Sequence, residues 1–351
     1  MVLSSRHDFI RALRREPVTR RPVWLMRQAG RYLPEYRALR QHAGGFLDLL
    51  KNPDNACEVT LQPVRRFDLD AAILFADILT IPDAMGLGLE FVAGRGPLFR
   101  RSISRLTEAR ALPVPDPQTD LAYVLDTVKI VTQELDGRLP LIGFAGGPWT
   151  LAAYMLEGGG GAREFPRARA VVNAQPELVE VLAAKLVPAT IAYLLAQARA
   201  GAEALMLFES WAGLLAPEGF RRHVLAPLEE IVTVVKADPA AQDKPMILFA
   251  KGAGQHAAAL GGLGAEALGV DWTVSLADVR RATNNHVALQ GNLDPAALLA
   301  PEDALRAAVR AVIADFGPGP GHVFNLGHGV TPDVDPERVG ALVDEVHGAP
   351  V

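Results

Sequence analysis

Short apolar runs alternate along the chain with longer amphipathic stretches. The apolar runs are five to seven residues long and lack a clean two-residue alternation of apolar and polar positions. This pattern predicts strands that are buried on both faces, as in a parallel sheet. The predicted strands are PVWLM (22–26), AAILFAD (71–77), PLIGFAG (140–146), ALMLFES (204–210), PMILFAK (245–251), VDWTV (270–274), VALQGN (287–292) and HVFNLG (322–327).

The stretches between these runs have helical character, and two of them begin with helix-start residues, Pro217-Glu218 and Asp335-Pro336-Glu337. Eight strands alternating with helices predict a (β/α)8 TIM barrel spanning 1–351 as a single domain, ahead of an open doubly wound sheet. Three predicted strands lie within residues 245–292, so the connections between them are short or irregular. We therefore expect a distorted barrel. The predicted helices are 54–66, 118–136, 176–200, 217–236, 294–315 and 336–347.

The residues at the carboxyl ends of the predicted strands are far more polar than the strands themselves. In a (β/α)8 barrel these ends line one shared mouth. The first and eighth strands are neighbours in a closed barrel, so we expect Arg27 and His328 to face the same cleft. The strand-end residues are Arg27, Asp77, Gly146–Gly147, Glu209–Ser210, Lys251, Asn292 and His328.

Charge is unevenly distributed along the chain. The formal net charge is −5, which argues against a nucleic-acid-binding surface over the whole molecule. Residues 1–40 nevertheless hold ten Arg and three acidic residues, a local charge of +7. Two interpretations fit this basic N-terminal segment, a site for a small polyanion and a solvated basic helix.

The chain contains one cysteine, Cys57, so neither an intrachain disulfide nor a thiolate metal cluster is expected. No apolar signal region is visible near the N-terminus. The longest uncharged run, Leu139 to Leu156, is interrupted by glycine and proline, which indicates a strand, a turn and a helix rather than a membrane span. We therefore expect a cytoplasmic protein without a membrane partner.

Candidate chemistry is densest in the stretch PVWLMRQAGRYLPEYR (22–37). Arg27 and Arg31 are four residues apart, so one helical turn would point both guanidinium groups the same way. A guanidinium is permanently charged and matches a carboxylate in a planar fork, which suits an acidic substrate. The competing interpretation is a surface ion pair between Arg31 and Glu35, also at helical spacing.

Three further side chains each allow two interpretations. Asp77 ends an apolar strand and either caps the following helix or receives donors from a ligand. His328, between glycines, either contacts a ligand or is satisfied by a carbonyl group. Tyr154 is either a core aromatic or a hydroxyl donor at a cleft wall.

The Gly158–Gly161 run lacks the Lys-Ser/Thr of a phosphate-binding loop and predicts only a flexible loop.

Taken together, these segments resemble the uroporphyrinogen decarboxylase family. The resemblance extends from about residue 7 to residue 347, and the first motif is the most specific. The matching motifs, in the order of the family, are PVWLMRQAGRYLPEYR, FADILTIPDAMG, GFAGGPWTLAAYMLEGG, MLFESWAG, LQGNLDP and FNLGHGV.

The resemblance implies a distorted (β/α)8 barrel that acts as a homodimer, without a metal or an organic cofactor. It implies decarboxylation of the four acetate side chains of uroporphyrinogen III, giving coproporphyrinogen III and carbon dioxide. It also implies that Arg27 and Arg31 bind substrate carboxylates and that Gln28, Ala29 and Gly30 complete that wall of the cleft.

By the same resemblance, Asp77 meets the pyrrole N–H groups, while Tyr154, Ser210 and His328 contact the acidic side chains of the substrate. Asp77, Arg27 and His328 are the candidate catalytic residues. His328 has a suitable titration range for a proton donor, whereas an arginine is hard to deprotonate. The identity of the donor stays open.

This sequence departs from the family pattern at two positions. Trp211 stands where members usually have histidine, and Ser275 stands where aspartate is common. Corrinoid methyltransferases have a related barrel, but they hold zinc with thiolate and imidazole ligands, and Cys57 is far from any strand end. A tetrapyrrole carrier without activity would keep the arginines but would not need Asp77 or Ser210.

Overall fold

A parallel sheet that curls into a barrel organises the molecule. The computed structural model describes residues 7–92, 94–160 and 164–351, so the first six residues of the basic segment and Gly161 of the glycine run lie outside the described residues. Seven parallel strands follow the order β1-β4-β5-β6-β7-β8-β9, and β2 and β3 form a separate antiparallel hairpin. The strands are β1 (Ala72–Ile73), β2 (Leu89–Val92), β3 (Gly96–Phe99), β4 (Leu141–Gly146), β5 (Ala204–Glu209), β6 (Met246–Ala250), β7 (Ala267–Gly269), β8 (Ala288–Gln290) and β9 (His322–Val323).

Residues 22–24 take the remaining strand position, that of the first strand, between β9 and β1, and so close the ring. Val23 pairs with Phe324 in a parallel bridge just beyond β9. On the other side the amide of Asp70 donates to the carbonyl oxygen of Val23 at 2.9 Å, while the Asp70 carboxylate accepts from the amide of Val23 at 2.8 Å. Because a side chain supplies one of the ladder hydrogen bonds, the predicted strand 22–26 is reduced to a single bridge. The distorted (β/α)8 barrel is confirmed.

Helices surround the sheet, and the predicted helices recur with small shifts of their ends. The predicted helix 217–236 consists of two α-helices joined by a π-helical turn, Arg221–Leu225, and 294–315 is divided before Pro301. The α-helices are α1 (Asp8–Leu13), α2 (Pro34–Ala43), α3 (Phe46–Lys51), α4 (Pro53–Arg66), α5 (Thr80–Pro82), α6 (Leu106–Arg110), α7 (Ala122–Leu135), α8 (Pro148–Glu157), α9 (Pro166–Ala174), α10 (Pro176–Ala200), α11 (Pro217–Phe220), α12 (Ala226–Ala237), α13 (Ala257–Gly261), α14 (Leu276–Ala282), α15 (Glu302–Phe316) and α16 (Pro336–Gly348).

The predicted strand 270–274 is wrong. The strand lies earlier, at β7, and the VDWTV segment after it turns away from the sheet. The reason is Asp271, whose carboxylate accepts hydrogen bonds from the amides of Thr273 and Gly252. A side chain that bonds to the backbone two residues ahead stabilises a turn in place of a ladder.

Helix α10 is long and apolar enough to cross a membrane by length and composition, and 56% of its apolar window is buried. It packs against α8, α12 and β4. Helices that are apolar on most sides occur in the cores of large domains. In this fold α10 covers the outer face of the sheet.

Candidate active site

A cavity of about 740 Å³ opens at the carboxyl ends of the strands, within the size range of sites that enclose small molecules. Apolar side chains from several strands form its floor. Among them Phe144, Phe208 and Phe249 stand on the neighbouring strands β4, β5 and β6. Seven of the predicted site residues also line it: Arg27, Ala29, Gly30, Arg31, Asp77, Ser210 and His328.

Three arginines, Arg27, Arg31 and Arg40, line one side of this cavity. Arg27 adopts a left-handed backbone conformation with φ of 60°, and residues 26–32 form turns rather than a helix. The helical spacing from which we predicted the pairing of Arg27 and Arg31 is therefore wrong, although both do reach the cavity. Among the described residues neither forms a salt bridge, so their charges face the cavity without a protein carboxylate within 4 Å.

The turn is held by Gln28, whose side chain is fully buried. Its amide group accepts from the amide of Leu25 and donates to the carbonyl oxygen of Ala71, each at 3.2 Å. This side chain points into the protein rather than into the cavity. The alternative ion pair of Arg31 with Glu35 is not formed, because Glu35 lies 3.5 Å from Arg66 instead.

Asp77 projects into the cavity from just beyond β1 and is partly exposed to it. Its Oδ1 accepts from the amide of Leu79 at 2.8 Å, at the start of α5. Burial raises the pKa of Asp77, while the hydrogen bond from Leu79 and the charge of Arg27 oppose that rise. Capping of α5, one of the two interpretations that the sequence allowed, thus accounts for one carboxylate oxygen of Asp77. Within the described ranges the other oxygen accepts no hydrogen bond from the protein.

His328 lines the cavity next to the arginine side, and Gly329 leaves space for the Arg27 side chain. Burial lowers the pKa of His328 to about 3, and the nearby charges of Arg27 and Lys251 contribute to that shift. The imidazole is therefore neutral at physiological pH. This argues against a resting imidazolium as the proton donor. The predicted proximity of Arg27 and His328 is confirmed.

Ser210 and Tyr154 lie on the side of β5. Ser210 contributes to the cavity, whereas Tyr154 stands behind it in an edge-to-face contact with Phe165, at 4.9 Å between ring centroids. Burial raises the pKa of Tyr154. Tyr154 is thus a core aromatic, the first of the two interpretations allowed by the sequence, although its hydroxyl lies near the site.

Glu209, next to Ser210, is fully buried and faces away from the cavity. Its carboxylate accepts from the amides of Trp149 and Thr150 and from the Thr150 hydroxyl, at 2.7–2.9 Å. It therefore fixes the first turn of α8 against β5. Gly147 is required here, because a Cβ atom would lie 2.4 Å from the Glu209 side chain.

Sequence reasoning missed Arg40 and the β2–β3 hairpin, which covers one edge of the cavity through Phe91 and Pro97. The hairpin bonds to the glycine run: Leu98 bridges to Gly159. A Cβ atom on Gly159 would lie 2.5 Å from the Leu98 side chain, so the run is needed for close packing. The sequence signal for this hairpin was the short alternating segment LEFV (89–92), which is followed by Gly94 and Gly96.

The two departures from the family pattern have structural roles in this fold. The Ser275 side chain accepts from the amide of Asp278 at 3.3 Å, which caps α14, and donates to Asp315 at 2.7 Å. Trp211 packs against Phe165 with 4.8 Å between ring centroids and the ring planes tilted by 50°. Asn292, another strand-end residue, donates to the carbonyl oxygens of Asp271 and Val274 and is also structural.

The ligand set of the zinc methyltransferases is not assembled around this cavity. Cys57 is buried on α4, and burial raises the pKa of its thiol to about 11, so it carries no thiolate at neutral pH. In the part of the chain that the structure describes, no three His, Cys, Asp or Glu side chains lie close enough together to hold a metal ion.

Fold and site together define an α/β barrel with a cavity at the carboxyl ends of its strands, lined by three arginines and an aspartate, in the position that active sites occupy in enzymes of this fold. The family model described as uroporphyrinogen decarboxylase (URO-D) matches residues 4–349. The protein named uroporphyrinogen decarboxylase from Thioalkalivibrio sulfidiphilus is 55% identical over 340 residues, which cover 97% of each chain. The protein of the same name from Alkalilimnicola ehrlichii is 54% identical over 338 residues, covering 96% of this chain and 92% of that one. The chain belongs to the uroporphyrinogen decarboxylase family.

A solved structure of a methyltransferase from Methanosarcina mazei has a TM-score of 0.79 and covers 98% of both chains at 20% sequence identity. At that identity the similarity shows the shared fold alone.

Proposed function

We propose that this protein removes the four acetate carboxylates of uroporphyrinogen III, converting each acetate to a methyl group and giving coproporphyrinogen III. Family membership carries the proposal, and the site supports it. A cavity with three arginines on one side and an aspartate at its floor suits a ligand with acidic side chains around a ring of N–H donors. The whole chain acts as one catalytic domain.

The reaction requires an acceptor for the electrons left when carbon dioxide departs, which many enzymes take from a cofactor. A protonated pyrrole ring serves this purpose in the substrate itself, so no metal or organic cofactor is needed. Loss of carbon dioxide returns the electron pair to the ring system, and a proton then adds to the side-chain carbon to complete the methyl group. The ring finally releases the proton that it took up first, so one proton is consumed for each carbon dioxide lost.

Asp77 has the central role in this mechanism. Its unoccupied oxygen accepts pyrrole N–H groups, and its negative charge stabilises the ring once the ring is protonated. Charge that is already in place before the reaction often makes the largest contribution to catalysis. Arg27 and Arg31 bind carboxylates, with Ala29 and Gly30 completing the wall. Ser210 and the neutral His328 hydrogen-bond to acidic side chains, and the Tyr154 hydroxyl assists from behind.

We also propose that the protein is a cytoplasmic homodimer. The family resemblance supports this. Light scattering across the working concentration range measures the mass. A monomer mass throughout contradicts the dimer.

The decisive experiment is incubation with enzymatically generated uroporphyrinogen, followed by mass analysis of the products. Stepwise loss of up to four carbon dioxide molecules is expected. Saturable binding without any mass loss would identify a carrier and refute the enzyme.

A further inference from the structure

Lys251 is a cation at the barrel mouth that has no role in the mechanism above. It follows β6 directly, and its amide donates to the carbonyl oxygen of Glu209 at 3.1 Å. In the register of β5 and β6, Phe208 pairs with Phe249, and both rings line the cavity. Two residues further on, Ser210 and Lys251 are therefore cross-strand neighbours. Ser210 lines the cavity beside those phenylalanines. Lys251, just past the end of β6, is not among the described residues that line the cavity, but its charge is close enough to the lining residue His328 to help lower the pKa of that imidazole.

Two indole rings hold the Lys251 side chain. Its Nζ lies 5.7 Å from the ring centroid of Trp211 and 5.5 Å from that of Trp272. Trp272 is fixed against Gly327, where a Cβ atom would lie 2.9 Å from the indole ring. A cation over an aromatic face is attracted by the ring, and more strongly when partly desolvated. The ammonium group is therefore positioned before any ligand arrives.

No carboxylate neutralises this ammonium group. Among the described residues Lys251 has no salt bridge and donates no side-chain hydrogen bond. The carboxylate of Asp271, which is held next to Lys251 by its hydrogen bond from the amide of Gly252, also accepts from the amide of Thr273 and forms no salt bridge with Lys251 among the described residues. Lys251 is partly exposed. A positioned, unpaired cation at a mouth is suited to bind an anion.

Lys251 also lies across the barrel from the arginines. Counting 22–24 as the first strand position, β6 is the fifth of eight, diametrically opposite. The three cavity arginines all come from residues 27–40, on the first side. A ring with acidic groups on its whole circumference places some of them on the far side, where the arginines do not reach.

We propose that Lys251, held by Trp211 and Trp272, is a second carboxylate-binding site for the acidic side chains of the substrate, on the wall opposite the arginines. The inference rests on the proposed function for the identity of the ligand. Ser210 and Lys251 then bind neighbouring carboxylates on that wall. The site takes a carboxylate of the macrocycle, not a separate cofactor.

The test compares Lys251→Met, which keeps the length of the side chain and removes its charge, with Lys251→Arg. Lys129→Met is the matched control, because Lys129 is exposed on α7 and pairs only with Asp126. For Lys251→Met we expect KM for uroporphyrinogen to rise roughly tenfold or more, the effect of losing a hydrogen-bonded charge pair, with kcat within about twofold. Lys251→Arg should recover most of the loss, and Lys129→Met should behave as wild type.

Binding is measured separately with oxidised uroporphyrin, which is not turned over, by quenching of tryptophan fluorescence. The Kd should rise in Lys251→Met by the same factor as KM. Wild-type turnover with unchanged KM and Kd in Lys251→Met overturns this site but leaves the proposed function intact. If wild type shows no turnover, the proposed function fails, and the porphyrin Kd alone decides for or against Lys251. Should Lys251→Met not fold, Lys251→Gln also removes the charge, and an unchanged KM and Kd in that variant overturns the proposal.

Discussion

Replacing Asp77 by Asn tests the mechanism most directly. The amide keeps the size of the side chain and one acceptor oxygen, so the 2.8 Å hydrogen bond from the amide of Leu79 can persist. The negative charge is lost. The ground-state N–H contacts need only an acceptor, whereas the protonated ring needs the charge, so the loss should fall on kcat rather than on binding.

The expected loss in kcat follows from the Coulomb energy between the Asp77 carboxylate and the protonated ring. Two unit charges about 4 Å apart interact by about 4 kcal/mol in surroundings of effective dielectric constant about 20. Removal of a single preorganised group in well-studied sites costs a similar amount, about 3–4 kcal/mol. We therefore expect kcat to fall roughly a hundredfold to a thousandfold, with KM changed far less. Asp77→Glu should also fail, since displacing a catalytic group by about 1 Å can cost roughly a hundredfold.

The assay is single-turnover decarboxylation of uroporphyrinogen followed by mass analysis, with thermal unfolding measured on the same samples. Asp126→Asn is the matched control, because it removes a carboxylate that is exposed on α7 and pairs only with Lys129. A loss confined to KM would mean equal binding of ground and transition states, and the charge-stabilising role would be refuted. A large drop in Tm would instead show that Asp77 serves chiefly to hold the start of α5.

Three further predictions concern other parts of the molecule. Arg27→Lys should lower kcat/KM despite keeping the charge, since a point ammonium cannot replace a planar fork; wild-type kcat/KM would show that the fork is not used. Burial raises the pKa of Glu209 to about 7 from an ordinary 4.5. As the pH falls, Glu209 is therefore protonated in the native state before it is protonated in the unfolded state. Wild type should therefore gain stability relative to Glu209→Gln as pH falls from 8 toward 5, by up to about 3 kcal/mol. A pH-independent difference in Tm between the two would show that the Trp149 and Thr150 donors keep the carboxylate ionised throughout. Turnover should survive a metal chelator without any added cofactor, and activity lost in chelator and restored by a divalent metal would contradict the cofactor-free mechanism.

The sequence by itself determined the fold class and identified seven of the residues that line the cavity. Apolar runs without alternation indicated buried parallel strands, and the polar residues at their ends marked the mouth, because a barrel gathers those ends in one place. The proximity of Arg27 and His328 followed from barrel closure alone. These inferences depend on periodicity and topology, which are local properties of the chain or simple consequences of its order.

Only the tertiary structure decided which side chains turn away from the cavity. Gln28 was itself a predicted site residue and Glu209 stands beside one, yet each is buried by hydrogen bonds to backbone groups distant in sequence, those of Ala71 and Thr150. The sequence could not indicate that Asp70 replaces a ladder bond at Val23, nor that Lys251 lies between Trp211 and Trp272. Such contacts join residues 21 to 59 positions apart, and their energies depend on distances of a few ångströms that a one-dimensional pattern does not contain.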